Sequence, residues 1–212
     1  MASSTPYSRT LQTPRLVLKL FDPTNPDHYT NQLSLISSGP VKKVGVVPLA
    51  NKEFLDDKCE RQRIPKELCT KLGEGIDPPS HSYILIYLRD SNGDAGTYIG
   101  GISFFHRRKT GLMPDIGWGL MSEEYHGKGY GTEAAGAALK FWREEIGVLE
   151  ICSLTDAKNV AAKRVAEKIG MVDGGSFKLE MPNGEIKDFV AMMLPGMKKL
   201  EDGFQLKMSD LA

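Results

Sequence analysis

The chain has 212 residues, 41% hydrophobic and 25% charged, which is enough for one soluble domain with a substantial core. Lys plus Arg and Asp plus Glu both number 27, so the formal net charge is zero and an extended nucleic-acid surface is not expected. The 3 cysteines cannot all pair, no Cys-x-x-Cys or Cys/His cluster points to a metal, and no apolar run nears the roughly 20 residues of a membrane span.

Residues 1–12 are polar, with no basic-then-apolar signal pattern, and read as a flexible start to a cytoplasmic protein. Leu16, Leu18 and Leu20 alternate with Val17 and Lys19, giving a first strand. Two helical segments are predicted over 26–37 and 51–72, broken by Gly39-Pro40, Pro48 and Pro65. Tyr83 to Leu88 reads as a central strand, Ser91-Asn92-Gly93-Asp94 as a turn, and Thr97 to Phe105 as the hairpin partner. Asp115 to Met121 completes a three-strand antiparallel meander. A helix is predicted from Tyr130 to Ile146, with Ala135, Leu139, Trp142 and Ile146 on one face, followed by a strand over 149–154. Asp156 or Asn159 caps another helix, whose buried stripe is Ala162, Val165, Ala166 and Ile169 and which Gly170 stops. A hairpin over 171–194 closes one domain spanning 13–195, with 196–212 as a tail. The order implies a mixed α/β fold with helices on both faces of the sheet.

The segment carrying the chemistry is His126-Gly127-Lys128-Gly129-Tyr130-Gly131-Thr132-Glu133-Ala134. Alternating glycines let the backbone turn tightly with its N–H groups converging, and the helix that follows adds unpaired N–H groups and its positive dipole end. That combination suits the diphosphate of a nucleotide-bearing cofactor. A Walker loop needs Gly-x-x-x-x-Gly-Lys-Ser/Thr, and that spacing is absent. A dinucleotide fingerprint needs its third glycine one residue later than Gly131 and should open a parallel unit.

The third candidate is an acyl-CoA site. Asp115-Ile116-Gly117-Trp118-Gly119-Leu120 followed by Tyr125-His126-Gly127-Lys128-Gly129-Tyr130-Gly131-Thr132-Glu133-Ala134 resembles the core of a GNAT-superfamily N-acetyltransferase. It is most similar to the branch that includes the ribosomal-protein N-terminal acetyltransferases. Asn159-Val160-Ala161-Ala162-Lys163-Arg164-Val165-Ala166-Glu167-Lys168-Ile169-Gly170-Met171 resembles that branch's second signature, and Thr13-Pro14-Arg15-Leu16 its usual opening. The resemblance implies a mostly antiparallel twisted sheet of about six to seven strands, splayed at the cofactor site.

It also implies acetyl-CoA as cofactor. His126, Gly127, Lys128, Gly129, Tyr130, Gly131 and Thr132 would cradle the diphosphate, although His126 stands where the family usually has Gln or Arg. The backbone of Leu120 and Met121 would pair with the pantetheine arm, with bending at Gly117 and Gly119 opening the sheet. Asn159 would meet a pantetheine amide, unless it is a plain helix cap. Asp115 takes the position of the branch's Glu and is the candidate base, against a structural acid after Pro114. The branch's Ser is Ala162 here, which leaves Tyr125 as the conceivable proton donor, or as packing beside the loop. Phe104, Phe105, His106 and Trp118 either line an acceptor pocket or belong to the core and its flanking turn.

The implied activity is direct attack of a primary amine on the thioester, through a tetrahedral oxyanion held by a strand N–H near Trp118 to Leu120. Cys152 is expected to be packed, not nucleophilic. The alternatives are a catalytically silent acyl-CoA module on the same fold, and a protein-interaction domain using 22–82. The acceptor stays open: a peptide N-terminus, a lysine or a small amine, with the protein a monomer or homodimer and no membrane partner.

Overall fold

The computed structural model describes residues 7–42 and 51–211. Residues 1–6 of the expected flexible start and the break expected at Pro48 lie outside them. The Leu16–Leu20 alternation forms a strand, β2, which pairs antiparallel with a short strand β1 (Thr10–Gln12) on one side and with β3 (Tyr83–Arg89) on the other. The meander follows with β4 (Ala95–Phe105) and β5 (Asp115–Leu120). β6 (Cys152–Asp156), β7 (Val172–Glu180), β8 (Ile186–Met193) and β9 (Gln205–Lys207) complete one sheet of 9 strands, in the order β1-β2-β3-β4-β5-β6-β8-β7-β9.

The expected six to seven strands were too few, because β1 and β9 are three-residue edge strands with no alternation long enough to read. β9 lies inside the stretch expected to be a tail; it pairs parallel with β7 and buries Leu206. β6 also starts later than predicted, because Leu149 is 65% exposed and the buried run begins at Ile151.

Helix α1 (Pro26–Ser37) starts where its cap dictates: Asn25 accepts from the Asp27 amide at 2.9 Å, and Pro26 fills the first helical position. A single turn, α2 (Gly39–Lys42), follows. The segment predicted as one helix over 51–72 is helical only over Lys52–Arg61 (α3), capped by Asn51, with a 3₁₀ turn at Lys66–Leu68 beyond Pro65. α4 (Tyr130–Phe141) ends in a widened turn over Trp142–Ile146 that Gly147 closes at φ 89°. In that turn Trp142 stacks on Phe104 with ring centres 4.2 Å apart. α5 (Val160–Lys168) is capped by Asn159; of its expected stripe only Ala166 is fully buried, while Val165 and Ile169 pack at the margin.

Side chains alternate across the sheet. Ile84, Ile86, Ile102, Phe104 and Ile116 join the core under α4. Tyr83, Leu85 and Phe105 join a second core with Tyr29 and Ile36 of α1 and Leu55 and Cys59 of α3. Asp115 lies opposite Phe105 and so shares that second face. β5 and β6 are parallel and pair only at Asp115 and Cys152. Past that pair the two strands part, so the sheet is splayed where the glycine loop begins.

Candidate active site

The chain leaves β5 through a 3₁₀ turn at Glu123–Tyr125 and reaches α4 through Gly127 and Gly129, whose φ values are 72° and 83°. Both need the left-handed region that glycine enters without strain. The first helical bond of α4 runs from the Glu133 amide to the Gly129 carbonyl at 3.0 Å. Among the described residues, no turn, loop or cap acceptor takes the N–H groups from Gly127 to Thr132. Gly131 is helical, and a Cβ added there would touch only Val165 Cγ2 at 3.9 Å. The protein itself therefore leaves room for a side chain at Gly131.

The loop is held from behind. Glu133 Oε1 accepts from the Thr13 hydroxyl at 2.6 Å and the Arg15 amide at 2.9 Å. Its Oε2 accepts from Arg15 Nε at 2.7 Å and forms an ion pair with Nη2 at 2.6 Å. Arg15 Nη1 then donates to the Lys128 carbonyl at 2.8 Å, and the guanidinium lies 4.8 Å from the centre of the Tyr130 ring. Burial alone would raise the Glu133 pKa, but the bonds from Thr13 and Arg15 outweigh it and hold the carboxyl below its ordinary value. The opening motif and the glycine loop, 113 residues apart at Arg15 and Lys128, are thus tied directly to each other.

The free edge of β5 lies beside this loop. The Met121 amide donates to the Ile99 carbonyl at 2.9 Å, on the β4 side, whereas the Pro114 carbonyl accepts from the Cys152 amide at 2.9 Å, on the β6 side. Backbone groups alternate along a strand, so N–H and C=O of Trp118 and Leu120 face the gap toward β6. Met121 does not share that role, because its N–H is committed to β4. Trp118 and Leu120 are half-buried, and their side chains pack on the α4 core.

Asp115 is at the splay point but is not a free base. It is 5% exposed. Its Oδ1 accepts from Arg107 Nε at 2.5 Å and its Oδ2 from Nη2 at 3.3 Å. Arg107 also donates to the Leu211 carbonyl, which accepts from Gln62 Nε2 at 2.7 Å as well. A carboxylate held by a fork in a buried pair fits the structural reading of Asp115 that stood beside the base reading.

Tyr125 stands on the turn between β5 and the glycine loop. Partial burial and Glu124 keep its hydroxyl above its ordinary pKa. Asn159 uses Oδ1 to cap α5, accepting from the Ala162 amide at 3.1 Å, so its Nδ2 is the group left to meet a ligand carbonyl. Phe104 is 0% exposed and belongs to the core, not to an acceptor pocket. His106 is also outside the gap: it borders a surface recess of about 440 Å³ with Arg63, Lys66 and Arg108, and burial lowers its pKa. His126 and Lys128 are exposed on the loop. Cys152 is 0% exposed, and burial pushes its thiol far up, as expected of a packed cysteine.

Sequence reasoning quoted Arg15 and Glu133 inside motifs but missed that they bind each other. It read Arg107 as part of a charged turn. Their spacing in the chain carries no signal of contact.

A profile described as Acetyltransferase (GNAT) domain matches residues 57–172, just over half of the chain. The chain belongs to the GNAT acetyltransferase family. A curated relative, the uncharacterized N-acetyltransferase YnaD of Bacillus subtilis (strain 168), is 37% identical over 70 residues. That alignment spans 33% of this chain and 41% of YnaD, less than half of either. Among solved structures, a GNAT-family acetyltransferase from Bacillus anthracis superposes with a TM-score of 0.57 at 22% identity, over 87% of this chain and 97% of that one. A proposed ribosomal-protein-serine acetyltransferase from Vibrio cholerae gives 0.56 at 20% identity, over 90% and 98%. At these identities the superpositions establish the GNAT fold. GNAT acetyltransferases generally use acetyl-CoA, and three features among the described residues suit it: unclaimed loop amides, a vacant Cβ position at Gly131, and a strand edge at Trp118 and Leu120 that no described strand pairs.

Proposed function

We propose that the chain transfers an acetyl group from acetyl-CoA to a primary amine by direct attack, with no acetylated enzyme intermediate. The observation that carries this reading is the row of unclaimed N–H groups from Gly127 to Thr132, beside the free edge of β5.

When bound, acetyl-CoA supplies an acyl group already activated as a thioester. The loop amides and the positive end of α4 would hold its diphosphate, with Lys128 adding a nearby cation. Backbone groups of Trp118 and Leu120 would be available to the pantetheine arm, and the Asn159 Nδ2 would be a further donor to it. The Trp118 N–H would be a donor for negative charge developing on the acyl oxygen. Asp115 keeps its place in the pair with Arg107, so the proton of the amine passes to water over the half-exposed Gly117 and Gly119, while the C–S bond breaks and CoA leaves as a thiolate that takes its proton from water.

Calorimetric titration with acetyl-CoA, followed by a free-thiol assay of CoA release across amines and peptides, tests this. Saturable binding and amine-dependent release are expected. No heat at millimolar acetyl-CoA would overturn the reading. Ala162 in place of the branch's Ser, together with the pinned Asp115, favours a second reading: a silent acyl-CoA module, which would bind without releasing CoA to any amine.

A further inference from the structure

The acceptor has to reach the point where β5 and β6 part, and one side of the sheet is closed there. Under α4, Phe104, Ile116 and Trp142 are all 0% exposed. On the opposite face the paired positions are Gly101 with Gly119 and Ser103 with Gly117, so the floor carries nothing larger than a hydroxymethyl. Gly117 and Gly119 are half-exposed, and a Cβ on Gly117 would meet only the Ser103 hydroxyl. Leu35 and Gln32 of α1 cover the Gly101 end, so among the described residues the open part of the floor lies at Gly117 and Gly119, and an acceptor can approach there.

Polar groups that the reaction as described does not use surround the floor. Gln32 of α1 is 3% exposed, and its Oε1 is buried beside Gly101 with no partner among the described residues. Tyr83 packs edge-on against Phe105 with ring centres 5.2 Å apart. On the same Phe105 ring lie Lys58 Nζ of α3, 5.1 Å from its centre, and the Arg107 guanidinium at 5.9 Å. Arg107 is matched by Asp115. Lys58 is the cation left over: among the described residues no carboxylate lies within ion-pair distance and no acceptor takes its protons. Lys58 is half-buried, and the loss of water around it pushes its ammonium down to about 8, with Arg107 adding to the shift and Asp115 opposing it. A cation kept in such a place without a partner is costly, and a bound anion would offset that cost.

We propose that the amine acceptor also carries a carboxylate, and that Lys58 is the residue that selects it. The inference rests on the acetyl-transfer reading above. The amine end lies over the glycine floor, where Gln32 Oε1 can accept one of its N–H bonds, and the carboxylate lies toward Lys58. A polycationic acceptor would meet Lys58 as a like charge.

The test uses matched pairs of amines that differ only in a carboxylate against its carboxamide. CoA release is measured for the wild type, Lys58→Met and Lys58→Arg, and where turnover is slow the same pairs are titrated into the CoA-loaded protein. The wild type should prefer the carboxylate member by about tenfold or more, Lys58→Arg should keep most of that preference, and Lys58→Met should lose it, chiefly through KM. Equal use of both members by the wild type, or a preference that survives in Lys58→Met, overturns the proposal. A parallel acetyl-CoA titration separates the two claims: failure to bind acetyl-CoA defeats the transfer reading, whereas binding with indifference to the carboxylate defeats only the role of Lys58.

Discussion

Gly131→Ala separates a glycine kept for folding from one kept for a ligand. Gly131 is helical, in the first turn of α4, and an added methyl meets only Val165 at 3.9 Å. Ala is favoured over Gly within a helix by up to about 1 kcal/mol, and for a chain of this size each kcal/mol moves Tm by about 2–4 °C. The variant without ligand should therefore melt at the same temperature as wild type or up to about 4 °C higher. Phosphate oxygens must come within about 2.9 Å of these amides, and a methyl on Gly131 would stand in their way. Losing one charge-assisted hydrogen bond at about 1.5–3 kcal/mol predicts acetyl-CoA binding weaker by about 10- to 100-fold. Thermal denaturation without ligand and calorimetry with acetyl-CoA read the two effects separately. Unchanged affinity in Gly131→Ala would refute the diphosphate cradle, and a Tm several degrees lower would refute the claim that the protein itself has room there.

Glu133→Ala removes the hub that ties Thr13 and Arg15 to the loop. With Arg15 half-exposed, a discounted loss of about 2 kcal/mol and a Tm lower by about 4–8 °C is expected, together with weaker acetyl-CoA binding. The Glu133 carboxyl is held below its ordinary 4.5, so its contribution is present above that pH and lost as pH falls through the depressed value. The gap in stability between wild type and Glu133→Ala should accordingly narrow under acid denaturation, and a gap that widens would contradict this pairing. Asp115→Asn breaks a buried pair with Arg107, so unfolding should become easier by about 3 kcal/mol and Tm should drop by about 6–12 °C. Denaturant unfolding checks this, and a variant of wild-type stability with abolished turnover would restore Asp115 as a base.

Much of this was legible in the sequence because local chemistry fixes it. Asn25-Pro26 set the start of α1, the Leu16–Leu20 alternation set β2, and Asn159 set α5. The glycine loop was legible for the same reason: left-handed backbone at Gly127 and Gly129 is a property of single residues. What escaped was set by long-range contact. β1 and β9 exist because neighbouring strands offer an edge, and nothing in three residues announces that. The role of Arg107 depends on Asp115 across a hairpin and on Leu211 at 104 residues' remove, and a run of basic residues reads as solvated until that partner is seen. Met121 failed for a subtler reason: strand parity decides which amides face the gap, and the pairing of Met121 with Ile99 sets that parity.

The central claim is that the backbone of the glycine loop and the free edge of β5 receive the cofactor together. Amide chemical shifts of the ¹⁵N-labelled protein, followed as CoA is added, test it residue by residue. The account predicts that Gly127 through Thr132, and Trp118 and Leu120 on β5, move together and saturate at one ligand concentration. Shifts confined to other surfaces, with these amides unmoved at saturating CoA, would contradict it.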